Sequence, residues 1–185
     1  LFQRMGRCGR NGLWVYHRMG QSRRRAGGPA AMGSSNNSAR LDGYSGLGGG
    51  RMAQFITSDG LNLYYSDEGE GLPLLCLPGL TRTTVDFQYV TPHLPPCRLI
   101  KMDYRGRGRS DFDPNWQNYS LPIEVRDVME LMDHLSLNAV AILGTSRGGL
   151  NAMGLSAAAP DRLLGAALND VGPELDPAGL DGIMV

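Results

Sequence analysis

The 185-residue sequence has few cysteines and no long apolar run. Cys8, Cys76 and Cys97 form an odd, sparse set that does not suit a disulfide framework. We therefore predict free thiols, a reducing compartment and a cytoplasmic location. No stretch is long and apolar enough to span a bilayer, so we expect no membrane-spanning segment and no membrane partner.

Residues 1–51 have a single acidic residue and lack a periodic pattern of apolar positions. They hold nine arginines against one acid, Asp42, whereas residues 52–185 hold nine basic and seventeen acidic residues. A segment rich in Gly, Ser, Asn and Arg buries little apolar surface, so we predict that residues 1–51 are a disordered, dispensable leader. Three interpretations stay open: a transit peptide, a basic tail for nucleic acid, or sequence upstream of a true start at Met52. We favour the third, and we predict no nucleic-acid partner.

From residue 52 onward, short apolar runs alternate with helical patterns. Two runs on either side of Asp59-Gly60 predict a β-hairpin. After Ser120, a candidate N-cap, the residues Val125, Val128 and Met132 recur at helical spacing. Strands that alternate with helices indicate an α/β fold with a mostly parallel sheet and helices on both faces. The later strands are predicted at 72–77, 97–103, 139–143 and 162–169, and the helices just before Pro92, after Ser120 and at 147–159.

The stretch Gly144-Thr145-Ser146-Arg147-Gly148 lies between a predicted strand and a predicted helix, as a nucleophile elbow does. Such a tight turn forces the serine into strained backbone angles. A side chain at Gly144 or Gly148 would collide with the neighbouring strand or helix. The serine hydroxyl would then stand above a helix N-terminus, which favours developing negative charge. A serine that only caps a helix is the alternative, and we predict that Ser146 is the nucleophile.

Two other glycine-containing segments follow predicted strands. Residues 77–80, Leu-Pro-Gly-Leu, suit an oxyanion loop, in which the backbone N–H groups of Leu80 and Arg147 would bind the oxygen of a tetrahedral intermediate. An ordinary Pro-Gly turn is the alternative. Residues 103–110, Asp-Tyr-Arg-Gly-Arg-Gly-Arg-Ser, lack the patterns of dinucleotide and P-loop phosphate sites. We therefore predict a structural turn there, and we expect neither a cofactor nor a metal.

Four motifs follow one another in the chain: L-P-G-L-T-R at 77–82, D-Y-R-G-R-G-R-S at 103–110, G-T-S-R-G-G at 144–149 and L-N-D-V-G-P-E at 168–174. In this order and spacing they resemble those of bacterial α/β-hydrolases. The resemblance covers residues 52–185 and implies a serine hydrolase that acts on a small-molecule acyl substrate, of the esterase, lipase, lactonase or C–C hydrolase kind. Cofactor-free haloperoxidases of this fold use the same serine. Dehalogenases and epoxide hydrolases use aspartate instead, and Ser146 argues against both. Many relatives have His-Gly in the oxyanion loop, where Pro78 replaces the histidine here.

The resemblance implies that the catalytic acid and histidine follow the nucleophile, yet no histidine follows Ser146 in this sequence. His17 lies in the leader, and we interpret His93 and His134 as surface or cap residues. Asp170 is the candidate acid, and a turn in which it caps its own backbone is the alternative. We expect residues 52–185 to be the N-terminal portion of a hydrolase domain, without its lid and final strands and inactive by itself. A non-catalytic binding protein of this fold is the other hypothesis.

Arg147 places a cation in the first turn of the predicted helix. There it opposes the helix dipole by roughly 0.3–1 kcal/mol when exposed. We therefore predict that its guanidinium pairs with an acidic side chain, with Asp170 as the candidate.

Overall fold

A computed structural model of the chain describes residues 5–8, 13–17 and 51–172. Two α-helices occur in these ranges, α1 (Leu121–His134) and α2 (Arg147–Ala158). Short 3₁₀ turns cover Thr84–Gln88, Thr91–His93, Trp116–Asn118 and Pro160–Arg162. The strands are β1 (Met5–Cys8), β2 (Leu13–His17), β3 (Arg51–Ile56), β4 (Asn62–Glu68), β5 (Pro73–Leu77), β6 (Arg98–Met102), β7 (Val140–Thr145) and β8 (Leu163–Asn169).

These strands form one sheet in the order β1-β2-β8-β7-β5-β6-β4-β3. The central strands β6, β5, β7 and β8 are parallel. The predicted hairpin, β3 and β4, continues the sheet antiparallel to β6, and β2 pairs antiparallel with β8 at the other side. Parallel strands point the same way, so the segments that follow β5, β6, β7 and β8 converge at the carboxyl end of these strands.

Successive residues of the central strands face two separate cores. On one face, Leu75 and Ile142 pack in the larger core with the buried residues of α1 and α2. On the other face, Cys76 packs with Phe87 of the first 3₁₀ turn, and Leu143 lies against them. Near-continuous apolar strands are therefore covered by helical segments on both sides, as a parallel sheet requires.

The predicted helix before Pro92 is replaced by two 3₁₀ turns, and Pro92 lies inside the second of them. Proline has no backbone N–H and is tolerated only at the start of a helical turn, which favours short segments here. Ser120 takes the N-cap position of α1 with extended backbone angles, but its side chain makes no capping bond. The other predicted elements agree with the structure to within one or two residues.

The predicted disorder of residues 1–51 is wrong where β1 and β2 form and at Arg51, where β3 begins. β2 pairs with β8 in register, with Val15 opposite Ala167. An edge strand accepts a partner through main-chain hydrogen bonds, which need no long apolar pattern. The aromatic and β-branched residues of Leu13–His17 were the signal for a strand. The rest of the predicted leader, 1–4, 9–12 and 18–50, lies outside the described residues, as does 173–185.

No helix in the described part of the chain is long and apolar enough to cross a membrane. Cys76 and Cys97 are free thiols, and Cys8 lies where no side chain is described. Burial raises the pKa of the Cys76 thiol to about 12, so this cysteine stays protonated and packs as an apolar side chain.

Candidate active site

Ser146 lies in the turn between β7 and α2 with φ of 50° and ψ of −110°, a combination that non-glycine residues rarely adopt. A β-carbon added to Gly144 would lie 2.5 Å from the Gly148 carbonyl oxygen. One added to Gly148 would overlap the carbonyl oxygen of Leu77. The backbone angles of the serine and the close packing at both glycines agree with the predicted elbow, and the role of Ser146 as the nucleophile stays a prediction.

The end of β8 holds the elbow from the side. The Ser146 N–H donates to the Asn169 carbonyl oxygen at 2.8 Å. Val171 lies so close to the first turn of α2 that a β-carbon on Gly149 would overlap its side chain. Asp170 lies between these two contacts, exposed and with φ of 58°. The chain thus brings Asp170 to the same end of the sheet as Ser146, and its role as the catalytic acid stays a prediction.

Arg147 pairs with an acid, as predicted, but the acid is Glu124 and not Asp170. Its Nε and a terminal nitrogen donate to the two Glu124 carboxylate oxygens at 2.9 and 3.1 Å. Asn151 donates a further hydrogen bond of 2.9 Å to the same carboxylate. Glu124 lies in the first turn of α1, which packs against α2, so this helix contact largely buries both side chains.

The predicted oxyanion segment passes beside the serine. A β-carbon built on Gly79 would lie 3.9 Å from the Ser146 Cβ. The segment turns back through a hydrogen bond of 3.1 Å from the Arg82 N–H to the Gly79 carbonyl oxygen. Within residues 51–172 no acceptor is bound to the Leu80 N–H. The helix N-terminus also leaves the N–H of Arg147 without an intrahelical partner, so oxyanion binding by these two groups stays a consistent prediction.

Residues 103–110 hold that segment in place, which agrees with the predicted structural turn. The Arg107 Nε donates to the Leu80 carbonyl oxygen at 2.7 Å. The Asp103 carboxylate accepts hydrogen bonds from the backbone N–H groups of Thr84, at 2.7 Å, and Arg109, at 3.1 Å. Arg107 and Asp103 therefore fix both ends of residues 80–84. They anchor this loop, which has Pro78 at the position where many relatives have a histidine.

Arg105, in the same segment, is the centre of a buried ion-pair network. It is 1% exposed and forms two hydrogen bonds, of 2.8 and 2.7 Å, with the Asp127 carboxylate of α1. It also donates to Asp113 at 2.7 Å and to Asp59 at 3.1 Å. Burial acts to raise the pKa of Asp59, but hydrogen bonds from Thr57, Arg126 and Arg105 outweigh it and hold that pKa well below its usual value. Sequence patterning missed this network because its members lie far apart in the chain.

A cavity of about 650 Å³ opens at the same end of the sheet, on the face of the first two 3₁₀ turns. It reaches Thr145, which precedes Ser146 in the chain, and Gly79, on which an added β-carbon would lie 3.9 Å from the Ser146 Cβ. Most of its wall is apolar, and two charged side chains, Arg82 and Asp86, line it together. Its lining residues are Pro78, Gly79, Arg82, Asp86, Phe87, Tyr89, Val90, Leu94, Leu143, Thr145, Ala167 and Asn169.

The histidines stay away from the serine hydroxyl. Between residues 51 and 172 no hydrogen bond joins a histidine to Ser146. His134 is exposed at the carboxyl end of α1, where its Nε2 lies 3.2 Å from the Tyr65 hydroxyl. His93 is exposed in a 3₁₀ turn, so the interpretation of both as surface residues agrees with the structure. His17 lies in β2, where no side chain is described.

A parallel sheet with a strained serine between two obligatory glycines, beside an apolar cavity, is the arrangement of the α/β-hydrolase fold. The sequence profile of the α/β hydrolase fold matches residues 73–181, more than half of the chain. The chain belongs to the α/β-hydrolase family.

Hydrolases are among the similar proteins of known name, and so is a putative 2-succinyl-6-hydroxy-2,4-cyclohexadiene-1-carboxylate synthase of Bacillus subtilis, 33% identical over 124 residues, covering 66% of this chain and 45% of that one. The chain is 37% identical over 120 residues to a 3-hydroxybutyrate-oligomer hydrolase of Cupriavidus necator, covering 64% of this chain and 41% of that one. An α/β hydrolase from Novosphingobium aromaticivorans superposes with a TM-score of 0.69 at 37% identity, covering 75% and 50%. A hydrolase from Pseudomonas aeruginosa superposes with a TM-score of 0.63 at 31% identity, covering 72% and 51%. The chain thus spans about half the length of these relatives or less.

Proposed function

We propose that the protein is a serine hydrolase that cleaves a carboxylic ester or a related small-molecule acyl substrate through an acyl-enzyme on Ser146. The observation that carries the proposal is the geometry of the elbow. A backbone with φ of 50° and ψ of −110° costs free energy, and two glycines that admit no β-carbon are needed to reach it. Strain of this kind concentrates where a side chain must be presented to a ligand. The free thiols Cys76 and Cys97 support a reducing, cytoplasmic location.

In the proposed reaction the Ser146 oxygen attacks the substrate carbonyl carbon while a histidine takes the hydroxyl proton. This histidine is none of the three in the sequence; the resemblance to α/β-hydrolases implies that it follows Ser146 in the whole protein. The carbonyl oxygen becomes an oxyanion, and the N–H groups of Leu80 and Arg147 stabilise it. The alcohol leaves with the proton from the histidine. Water then attacks the acyl-enzyme, the histidine again accepts and returns a proton, and the acid is released. Asp170 is the proposed partner of that histidine.

The test uses the protein expressed from its complete reading frame and p-nitrophenyl acetate as the substrate. We expect hydrolysis that Ser146→Ala lowers at least about a thousandfold, because triad removal leaves only residual catalysis. The control is Ser156→Ala, which changes a serine within α2 and should keep the rate within about twofold. Mass spectrometry of the quenched enzyme should show one acetyl group on the peptide that contains Ser146. An equal rate in wild type and Ser146→Ala would reject the proposal and favour a non-catalytic binding protein.

A further inference from the structure

We propose that Glu124 and Asn151 are positioning residues of the acyl transfer. Together they hold the Arg147 side chain and thereby fix the direction of the Arg147 N–H, one of the two proposed oxyanion donors. The inference rests on the proposed function, which gives that N–H its task, and it adds two side chains to which the reaction assigns no step. It is carried by three hydrogen bonds to one buried carboxylate.

The Arg147 N–H belongs to the peptide unit that joins Ser146 to Arg147. This unit is planar, so the ψ angle of Ser146, −110°, sets the direction in which the N–H points. With φ of 50° the serine also lies in a sparsely populated backbone region, which persists only where the surrounding structure holds it. The direction of this oxyanion donor therefore depends on contacts that keep Arg147 in place.

A two-point contact holds the Arg147 side chain. Its Nε and a terminal nitrogen donate to different oxygens of Glu124, at 2.9 and 3.1 Å. Two such hydrogen bonds fix the guanidinium plane, whereas a single one would leave it free to rotate. Asn151 lies one helical turn further along the same face of α2, and it donates at 2.9 Å to the oxygen that the Arg147 Nε also contacts. One carboxylate thus ties two successive turns of α2 to α1.

The carboxylate lies at a closely packed contact between the two helices. Glu124 is 4% exposed and Asn151 is 1% exposed. A β-carbon added to Gly154 of α2 would lie 2.7 Å from the side chain of Val125, the residue after Glu124. Water has little access to such a place, so it does not replace a hydrogen bond that is lost there. The contact is therefore rigid enough to hold a strained peptide.

The first experiment measures p-nitrophenyl acetate hydrolysis by the protein expressed from its complete reading frame. Glu124→Gln replaces an acceptor oxygen by a donor. It should lower kcat at least about tenfold and change KM less than about twofold, because the oxyanion donor acts in the transition state. Arg147→Lys keeps the cation without the two-point contact and should lower kcat about fivefold. Rates are expressed per reactive serine, titrated with diethyl p-nitrophenyl phosphate, so unfolded protein does not count.

The matched control is Glu130→Gln, the same chemical change elsewhere on α1. Glu130 accepts hydrogen bonds from Ser58, between β3 and β4, so this variant should keep kcat within about twofold. Asn151→Ala should lower kcat about threefold in wild type and leave it unchanged in Glu124→Gln, because Asn151 acts through the Glu124 carboxylate. Equal effects of Asn151→Ala in both backgrounds would overturn its assigned role.

A second measurement needs no turnover. The Ser146 N–H, which is bound to the Asn169 carbonyl oxygen, should exchange its hydrogen at least about fivefold faster in Glu124→Gln, while Leu155, further along α2, stays within about twofold. Equal acceleration at both amides would show that Glu124 only docks α2, and would overturn the inference.

The inference and the proposed function fail in different ways. If Ser146→Ala abolishes hydrolysis but Glu124→Gln keeps kcat, the inference is overturned while the proposed function stands. If no ester is hydrolysed, the proposed function fails, while faster exchange at Ser146 alone still supports the hold of Glu124 on the elbow.

Discussion

At Gly148 two physical effects act in opposite directions, which makes this residue a sharp test of the elbow. It lies in α2, where alanine is favoured over glycine by about 1 kcal/mol in an exposed helix. Yet a β-carbon at this position would overlap the carbonyl oxygen of Leu77, which is backbone and cannot move aside cheaply. Packing, and not helix propensity, therefore decides which residue can stand here.

We expect Gly148→Ala to lower the free energy of unfolding by about 3 kcal/mol, near the upper end of the usual cost of overpacking. Gly60→Ala is the matched control, because Gly60 has φ of 90° but open space around it. It should lose only about 1 kcal/mol, from backbone strain alone. Denaturant titration measures both. A Gly148→Ala variant as stable as wild type would mean that α2 does not lie this close to β5.

Glu124 is the residue that fixes the Arg147 side chain, and the pair is mostly buried. Glu124→Gln should therefore cost about 1–3 kcal/mol of unfolding free energy, because it leaves a partly buried cation without its charged partner. Asp133→Asn is the control, since Asp133 pairs with Arg162 at the surface and should change stability by less than about 1 kcal/mol. Equal effects in thermal unfolding would contradict the buried pair.

At the scale of elements, one loop organises the site although it contributes no group to the proposed reaction. Residues 103–110 bind the oxyanion segment through Arg107 and Asp103, and they bind α1 through Arg105 and Asp127. Through Glu124 the same helix holds Arg147, next to the nucleophile. The loop thus holds the segment that contains Leu80, α1 holds Arg147, and the loop and α1 are joined to each other by the Arg105–Asp127 pair.

Arg107→Ala should therefore lower kcat about tenfold with less than about a twofold change in KM, because it releases the Leu80 carbonyl and misplaces a donor used only in the transition state. Arg109→Ala is the control. Arg109 is exposed in the same loop, and its side chain contacts Tyr64 and not the oxyanion segment. Steady-state kinetics on an activated ester decide the outcome, and a rise in KM alone would show that Arg107 acts on binding instead.

The ion-pair network between the hairpin loop, residues 103–113 and α1 predicts a dependence of stability on pH. The pKa of Asp59 is lower in the folded protein than in the unfolded chain, because its hydrogen bonds with Thr57, Arg126 and Arg105 outweigh its burial. This contribution to stability is complete above the unfolded value near 4 and is lost as the pH falls towards the lower folded value.

Asp59→Asn should accordingly reduce the difference in unfolding free energy between pH 6 and pH 3, measured by urea titration. Glu70→Gln changes an exposed acid for which the structure shows no such network, so it should keep the wild-type difference. A wild-type pH dependence in Asp59→Asn would show that the network does not hold the Asp59 carboxylate.

At the scale of the whole molecule, the described part of the upstream sequence adds strands to the sheet. β2 covers the edge of β8 through main-chain pairing from Trp14 to His17. An uncovered edge strand presents unpaired N–H and C=O groups to other chains. The described upstream residues thus take part in the sheet, whereas their composition predicted a disordered leader.

Removing residues 1–50 from the 185-residue chain should therefore increase self-association, measured by light scattering against concentration. Val15→Pro is a milder test within the intact chain, since proline removes a backbone donor from β2 and disfavours a paired strand. Both changes should act in the same direction. If the shortened chain stays monomeric at the concentrations where the intact chain does, the β2–β8 pairing does not protect this edge.

The sequence alone determined the α/β class, the order of the central elements, and the place and strain of Ser146 between its glycines. These features follow from local patterns, because a strand, a tight turn and a helix are encoded by residues that are neighbours in the chain. Only the tertiary structure decided that Glu124, and not Asp170, pairs with Arg147, that Arg107 holds Leu80, and that β2 covers β8. Each of these contacts joins residues 23 or more positions apart, and their partners are fixed by how helices and strands pack.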